Sequence, residues 1–316
     1  MSTLPTIDTA RAARERIAPY VRRTPTYAHE GVAYKLELLQ VTGSFKVRGA
    51  FNAALQLDPL TRARGVVAVS GGNHGLAVAH VGRVLGIPAT VIMPETTPAR
   101  TVERARADGA DVILVPTIAE AFAMADERQA AGQSTIHPYD DTFVLAGQGT
   151  IGFELLEDVP DLATLIVSIG GGGLISGIAA VVKELRPSVR IYGVETEGAD
   201  AMRRALDAGA PVTMPAITSI AKTLGAPYVA QTTFAAAQRL LEDVVVVSDA
   251  RAVEAMVAMQ DALHVLPEPA ASCCYAALSA GLIPLDRPGD GTTAILVCGG
   301  NVSLSDLAAW RVEMAV

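Results

Sequence analysis

The chain has 316 residues, of which 50% are hydrophobic and 18% charged, with 25 Lys and Arg against 33 Asp and Glu for a net charge of -8. That length and apolar content allow a large core in two domains or one large one. The acidic balance, with no basic run, disfavours a nucleic-acid backbone as partner, and no apolar stretch approaches the roughly 20 residues of a membrane helix. Three cysteines, Cys273, Cys274 and Cys298, form neither a disulfide framework nor a CxxC zinc spacing. The Met1–Pro5 start shows no positive leader followed by an apolar stretch, so a cytoplasmic, reduced protein is expected.

In chain order, β-branched runs predict strands at Gly65–Ser70, Ala89–Met93, Asp111–Val115, Leu165–Ile169, Arg190–Val194, Asp243–Val247 and Thr293–Cys298. Several are apolar throughout, as strands covered on both faces are. Helices are predicted between them at Asn73–Leu85, Pro98–Ala107 and Ile118–Ala130. Pro98 reads as a first-turn proline and Gly109 as a helix stop. Asp249–His264 follows with Ser248 as N-cap, and Leu304–Met314 closes the chain. The alternation predicts an α/β fold of parallel sheets under helical cover. The strands fall into two groups, residues 65–140 and 165–300, which suggests two open sheets with a cleft between them.

Only four of the basic residues are lysines: Lys35, Lys46, Lys183 and Lys222. Lys46 lies in Ser44-Phe45-Lys46-Val47-Arg48-Gly49-Ala50, where arginine is used two residues later. Arginine cannot perform nucleophilic amine chemistry, above all Schiff-base formation with an aldehyde, so Lys46 is a candidate for covalent catalysis. Gly170-Gly171-Gly172-Gly173-Leu174 follows an apolar run and opens a helix. It matches neither the dinucleotide fingerprint nor a Walker loop, and reads either as a cup for one phosphate or as a tight strand-to-helix turn. Ser70-Gly71-Gly72-Asn73-His74-Gly75 is a second such junction, either a polar binding turn or a capped one. Cys298-Gly299-Gly300-Asn301 is a third, in which Cys298 alone reads as a small core residue. All three lie at the carboxyl ends of strands, where open α/β sheets bind ligands.

These residues resemble the fold-type II pyridoxal-phosphate enzymes, and within them the serine/threonine dehydratase and serine racemase group. The resemblance is ordered and nearly full length. It runs through Lys35-Leu36-Glu37, Thr42–Ala50, Ser70–Gly75, Ala146-Gly147-Gln148-Gly149-Thr150, Gly170–Leu174, Glu268-Pro269-Ala270 and Cys298–Asn301. It implies two open, mainly parallel sheets. The large cofactor-binding domain would be residues 1–52 with 144–316, and the small domain residues 53–143. It further implies pyridoxal phosphate on Lys46 beside Phe45, with its phosphate held by Gly170, Gly171, Gly172, Gly173 and Leu174. Asn73 would face the ring 3-hydroxyl and Cys298 the ring nitrogen. Ser70, Gly72, Asn73 and His74 would surround the substrate carboxylate, and the enzyme would be a homodimer.

The implied reaction is loss of ammonia from L-threonine or L-serine, with Lys46 taking the α-proton. The nearest alternatives are another 3-hydroxy amino acid, such as 3-hydroxyaspartate, and racemisation. Two departures from the family pattern bear on this. Gly71 stands where racemases carry a serine that moves a proton, which favours elimination. Ser219-Ile220-Ala221-Lys222-Thr223-Leu224 stands where relatives carry Ala-Asp-Gly, which leaves the substrate open. The family's divalent-cation site is matched only by Glu195 and the carbonyl of Ala199.

Overall fold

The structure, a computed structural model, describes residues 2–284 and 291–316. The chain begins with α1 (Ile7–Ile17), β1 (Thr26–His29), β2 (Val32–Lys35), α2 (Lys46–Gln56), α3 (Pro59–Arg64), β3 (Val66–Val69) and α4 (Asn73–Leu85). It continues through β4 (Ala89–Pro94), α5 (Ala99–Ala107), β5 (Asp111–Val115), α6 (Ile118–Ala130), β6 (Ser134–Thr135), α7 (Thr142–Asp158), β7 (Leu162–Ser168) and α8 (Gly173–Leu185). The last part comprises β8 (Arg190–Thr196), α9 (Ala201–Ala208), α10 (Gln231–Leu240), β9 (Asp243–Val247), α11 (Asp249–Leu263), α12 (Pro269–Ser279), β10 (Thr292–Leu296) and α13 (Leu304–Met314).

The strands form two sheets, as the alternation of β-branched and helical segments predicts. One has the order β1-β2-β10-β7-β8-β9 and the other β5-β4-β3-β6. Every pairing is parallel except β1 with β2. The central strands are buried on both faces, most completely β4 and β7, which is why they read as unbroken apolar runs.

Helices α4, α6 and α13 span the residues expected of them, and Ser248 caps α11 through the backbone N–H of Arg251. Gly109 ends α5 in the left-handed region, at φ 80°. Pro98 differs from expectation: it is the N-cap, with ψ 133°, and α5 starts at Ala99. The β1–β2 hairpin has no counterpart in the sequence reading. Its two-residue turn, Glu30-Gly31, holds both residues at positive φ, 48° and 78°. That is the geometry matching strand twist in a tight hairpin, but with Glu at its first position the turn lacks the usual Asn-Gly or Asp-Gly signal.

The two largest hydrophobic cores among the described residues accompany the sheets. The larger surrounds β7, β8 and β10, while the second joins β3 and β4 to Val47, Ala50 and Phe51 of α2. Helix α2 is locked in place by α7, whose glycines let backbones touch. A Cβ on Gly147 would stand 2.6 Å from the Arg48 carbonyl oxygen, and one on Gly149 2.9 Å from that of Gly177 in α8. A buried ion cluster adds to this. Arg48 donates to Glu37 (2.7 and 2.8 Å) and to Glu154 (2.7 and 3.0 Å), and Lys35 lies 2.7 Å from Glu154. The start of α2 is thereby fixed against α7, which is packed in turn on α8. No helix among the described residues is long and apolar enough to cross a membrane.

Candidate active site

Lys46 is the first residue of α2, and the loop before it is zipped to the loop after β10. Phe45 N–H donates to the Cys298 carbonyl (3.1 Å) and Gly300 N–H to that of Gly43 (3.0 Å), with a β-bridge between Ser44 and Gly299. Lys46 Nζ donates to the Pro138 carbonyl (3.0 Å) and lies 5.1 Å from the centroid of the Phe45 ring. Burial lowers its pKa from 10.5 to about 8, against the opposing pull of the Glu268 carboxylate. The free-amine fraction at pH 7 thus rises from below about one in a thousand to roughly a tenth.

The glycine run follows β7. Gly172 is the N-cap of α8 at φ 87°, a conformation that side chains rarely take. Helix geometry leaves the N–H groups of Gly173, Leu174 and Ile175 without intrahelical acceptors. The run has no room for side chains. A Cβ on Gly171 would meet the Tyr139 ring at 2.2 Å, one on Gly173 the Tyr139 backbone at 2.8 Å, and one on Gly170 the Leu224 carbonyl oxygen at 3.0 Å. Bare amides at a helix N-terminus, in a cradle that any Cβ would fill, fit a phosphate group.

Cys298 is buried next to the lysine loop. Its Sγ accepts from the Ser168 hydroxyl (3.4 Å) and donates toward the Ala270 carbonyl (3.6 Å). Burial pushes the thiol pKa well above its usual value, so it stays neutral and cannot act as a counter-charge.

Asn73 and His74 open α4, and both are committed to partners within the chain. Asn73 Nδ2 donates to Glu268 Oε1 (2.7 Å), and its Oδ1 accepts from Asn301 Nδ2 (2.6 Å). His74 Nε2 lies 2.7 Å from the Ile136 carbonyl oxygen and therefore carries the proton. Its Nδ1 is buried without a partner, and desolvation lowers its pKa to about 3. His74 thus steadies the segment whose Pro138 carbonyl receives the lysine. Ser70 Oγ accepts from Gly72 N–H (3.1 Å), leaving its own proton to donate.

Of the expected cation residues, Glu195 is committed within the chain. The two carboxyl oxygens of Glu195 accept from the N–H groups of Met202 (2.9 Å) and Arg203 (2.7 Å) at the start of α9. Among the described residues no group of three or more His, Cys, Asp or Glu is placed to hold a metal.

The sequence reading gave no role to Glu268, Tyr139 or Thr223, which complete the site. Glu268 precedes Pro269 as N-cap of α12 yet makes no capping bond. Its Oε1 instead accepts from Asn73 and from the Thr223 hydroxyl (3.0 Å), and burial raises its pKa to about 6. The available signal was its place in Glu268-Pro269-Ala270, one of the segments that carry the family resemblance. The site therefore assembles an amine poised near neutrality, an amide-lined anion cup and a neutral thiol. That donor set fits a phosphorylated aldehyde bound through its carbonyl, phosphate and ring nitrogen.

Residues 15–299 match the family described as pyridoxal-phosphate dependent enzyme. The chain belongs to that family. It is 38% identical to the phenylserine dehydratase of Ralstonia pickettii, over 97% of this chain and 96% of the relative. To the L-threonine ammonia-lyase of Geobacter sulfurreducens it is 37% identical, over 94% of this chain and 75% of the relative. Among solved structures, maize serine racemase superposes with a TM-score of 0.90 at 36% identity, covering 98% of each chain. The threonine deaminase of Solanum lycopersicum, isoform 2 in its processed form, does so with 0.89 at 29%, covering 100% of this chain and 90% of its own. The two-sheet α/β architecture is therefore that of the fold-type II pyridoxal-phosphate enzymes.

Proposed function

We propose that this enzyme is an ammonia-lyase of 3-hydroxy amino acids, converting L-threonine or L-serine to a 2-oxo acid and ammonia. The observation that carries the reading is Lys46 at the start of α2, its pKa drawn down to about 8 and its amine on the Pro138 carbonyl, one residue before the Tyr139 that lines the glycine cup. Lys46 would hold pyridoxal phosphate covalently, Gly170 to Leu174 its phosphate, Phe45 and Asn73 the ring surroundings, and Cys298 the ring nitrogen. When bound, the cofactor supplies an electron sink that acidifies the substrate α-C–H. Lys46, as free amine, takes the proton from the substrate Cα, a contribution worth roughly two to four orders of magnitude in rate. The neutral Cys298 thiol would offer the ring nitrogen no counter-anion, which would favour prompt loss of the β-hydroxyl.

The substrate carboxylate would lie on the turn Ser70–His74, where the Ser70 hydroxyl and the first N–H groups of α4 are its donors. Asn73 and His74 support that turn through their own partners. With glycine at position 71, racemisation is a minor outcome. A second reading, a substrate with a bulkier β-substituent, is favoured by the 38% identity to a phenylserine dehydratase. We further assign residues 53–143 as the small domain, and a cytoplasmic homodimer as the working form.

A panel of L-threonine, L-serine, 3-hydroxyaspartate and phenylserine, read for 2-oxo acid, ammonia and enantiomer, tests the reading. The enzyme is expected to be yellow and to release ammonia from at least one of them. Lys46→Ala should lose both the covalent chromophore and turnover. A colourless protein that takes up no pyridoxal phosphate overturns the proposal.

A further inference from the structure

The turn assigned to the substrate carboxylate is touched by a residue that the proposed reaction leaves unused. Gly71 lies in the β3–α4 turn and Thr97 in the β4–α5 connection. Strands β3 and β4 are parallel neighbours, with Val69 opposite Ile92, so both connections leave the same carboxyl end of the sheet, where ligands of such sheets bind. The two residues compete for one space. A Cβ placed on Gly71 would stand 2.2 Å from Thr97 Oγ1 and 3.2 Å from both Thr97 Cβ and Cγ2. Glycine at 71 is therefore a condition for threonine at 97, and the threonine hydroxyl occupies the volume into which a side chain at 71 would project.

That hydroxyl is uncommitted. Thr97 is half-buried and its backbone N–H donates to the Pro94 carbonyl (2.9 Å), while its Oγ1 makes no hydrogen bond within the chain among the described residues. A hydroxyl brought against a ligand turn and left without a partner is suited to donate to what the turn holds. The turn itself offers the free Ser70 O–H and the unpaired N–H groups at the head of α4, all donors matched to a carboxylate.

We propose that Thr97 is a specificity-determining residue of the substrate subsite, donating its hydroxyl to the substrate carboxylate from the place of a residue-71 side chain. This rests on the function proposed above.

The test uses the holoenzyme with L-alanine, which has the amino and carboxylate groups but no β-hydroxyl, and follows the change in cofactor absorbance. Thr97→Ala is expected to weaken L-alanine binding about tenfold, the size of one lost charge-assisted hydrogen bond, and to raise KM for the preferred 3-hydroxy substrate more than it lowers kcat. Thr97→Ser should restore both values. The double change Gly71→Ser with Thr97→Ala should restore binding in part by returning a hydroxyl to the same volume. An unchanged L-alanine dissociation constant in Thr97→Ala overturns the assignment, as does a loss that Thr97→Ser fails to recover. If the unaltered enzyme takes up cofactor but neither binds L-alanine nor turns over any 3-hydroxy amino acid, the function itself is refuted and this assignment with it.

Discussion

Replacing Glu268 by Gln gives the sharpest test of how the site is wired. The carboxylate is buried, and a single oxygen receives Asn73 Nδ2 at 2.7 Å and the Thr223 hydroxyl at 3.0 Å. Glutamine keeps an acceptor oxygen but loses its charge. Each charge-assisted bond then falls toward the neutral value, a loss on the order of 1 kcal/mol per bond and about 2 kcal/mol for the pair. The larger effect is electrostatic. Glu268 raises the Lys46 pKa against the dominant lowering by burial, so removing its charge lets the amine fall further below about 8. With an effective dielectric near 20, one charge removed from the same site is worth on the order of one pH unit.

The pH dependence of kcat/KM and of kcat, read as 2-oxo acid formation, should show this in two places. The unaltered enzyme is expected to show an inflection near pH 6 from Glu268, whose own pKa is raised to about 6 by burial, and the variant to lack it. The acid limb of kcat, which reports the Lys46 amine with substrate bound, is expected to move to lower pH in Glu268→Gln. Absorbance titration of the bound cofactor offers a second readout independent of turnover. An acid limb that stays in place, or moves to higher pH, would refute the electrostatic link between Glu268 and Lys46.

Other consequences follow from packing. Arg48→Ala strips the cation from a buried cluster and leaves Glu37 an unpaired buried charge, so urea denaturation should register a loss of about 3–5 kcal/mol. Gly171→Ala drives a methyl to within 2.2 Å of the Tyr139 ring, and equilibrium dialysis should show weakened retention of pyridoxal phosphate. Thr223→Gly removes a Cγ2 lying 3.4 Å from the Cβ position of Gly72, and should lower KM for substrates with bulkier β-substituents relative to L-serine.

How much of this was legible in the sequence depends on whether the cause is local. The β-branched runs of β3, β4, β7 and β8 encode their own burial on both faces, so the two-sheet fold could be read from periodicity. The glycine run before α8 carries its conformation in its own chemistry, and the rarity of lysine singled out Lys46. Glu268 could not be read in this way. Its partner Asn73 is 195 residues away, and its position before a proline offers helix capping as the local explanation, which the structure does not use. The Gly71–Thr97 pair was hidden for a similar reason. The glycine was visible as an absence, but what fills the space arrives from the neighbouring strand. The β1–β2 hairpin was missed because Glu-Gly is a weak signal for a turn with two positive φ angles.

The division between local and non-local causes also bears on how the lysine becomes reactive. A lysine at a helix start in water would keep its ordinary pKa near 10.4 and be almost wholly protonated. Here the loop Gly43–Phe45 is tied to the loop Cys298–Gly300, α2 is pressed onto α7 by glycines, and α7 onto α8. Those contacts limit the access of water to Lys46, which is half-buried. The apolar packing that stabilises α2 and the desolvation that frees the amine are therefore one structural fact. Loosening the α2–α7 contact is expected to raise the Lys46 pKa as well as to cost stability. A packing variant such as Gly147→Ala should thus shift the acid limb of the rate profile upward, and an unshifted limb in a destabilised variant would separate the two.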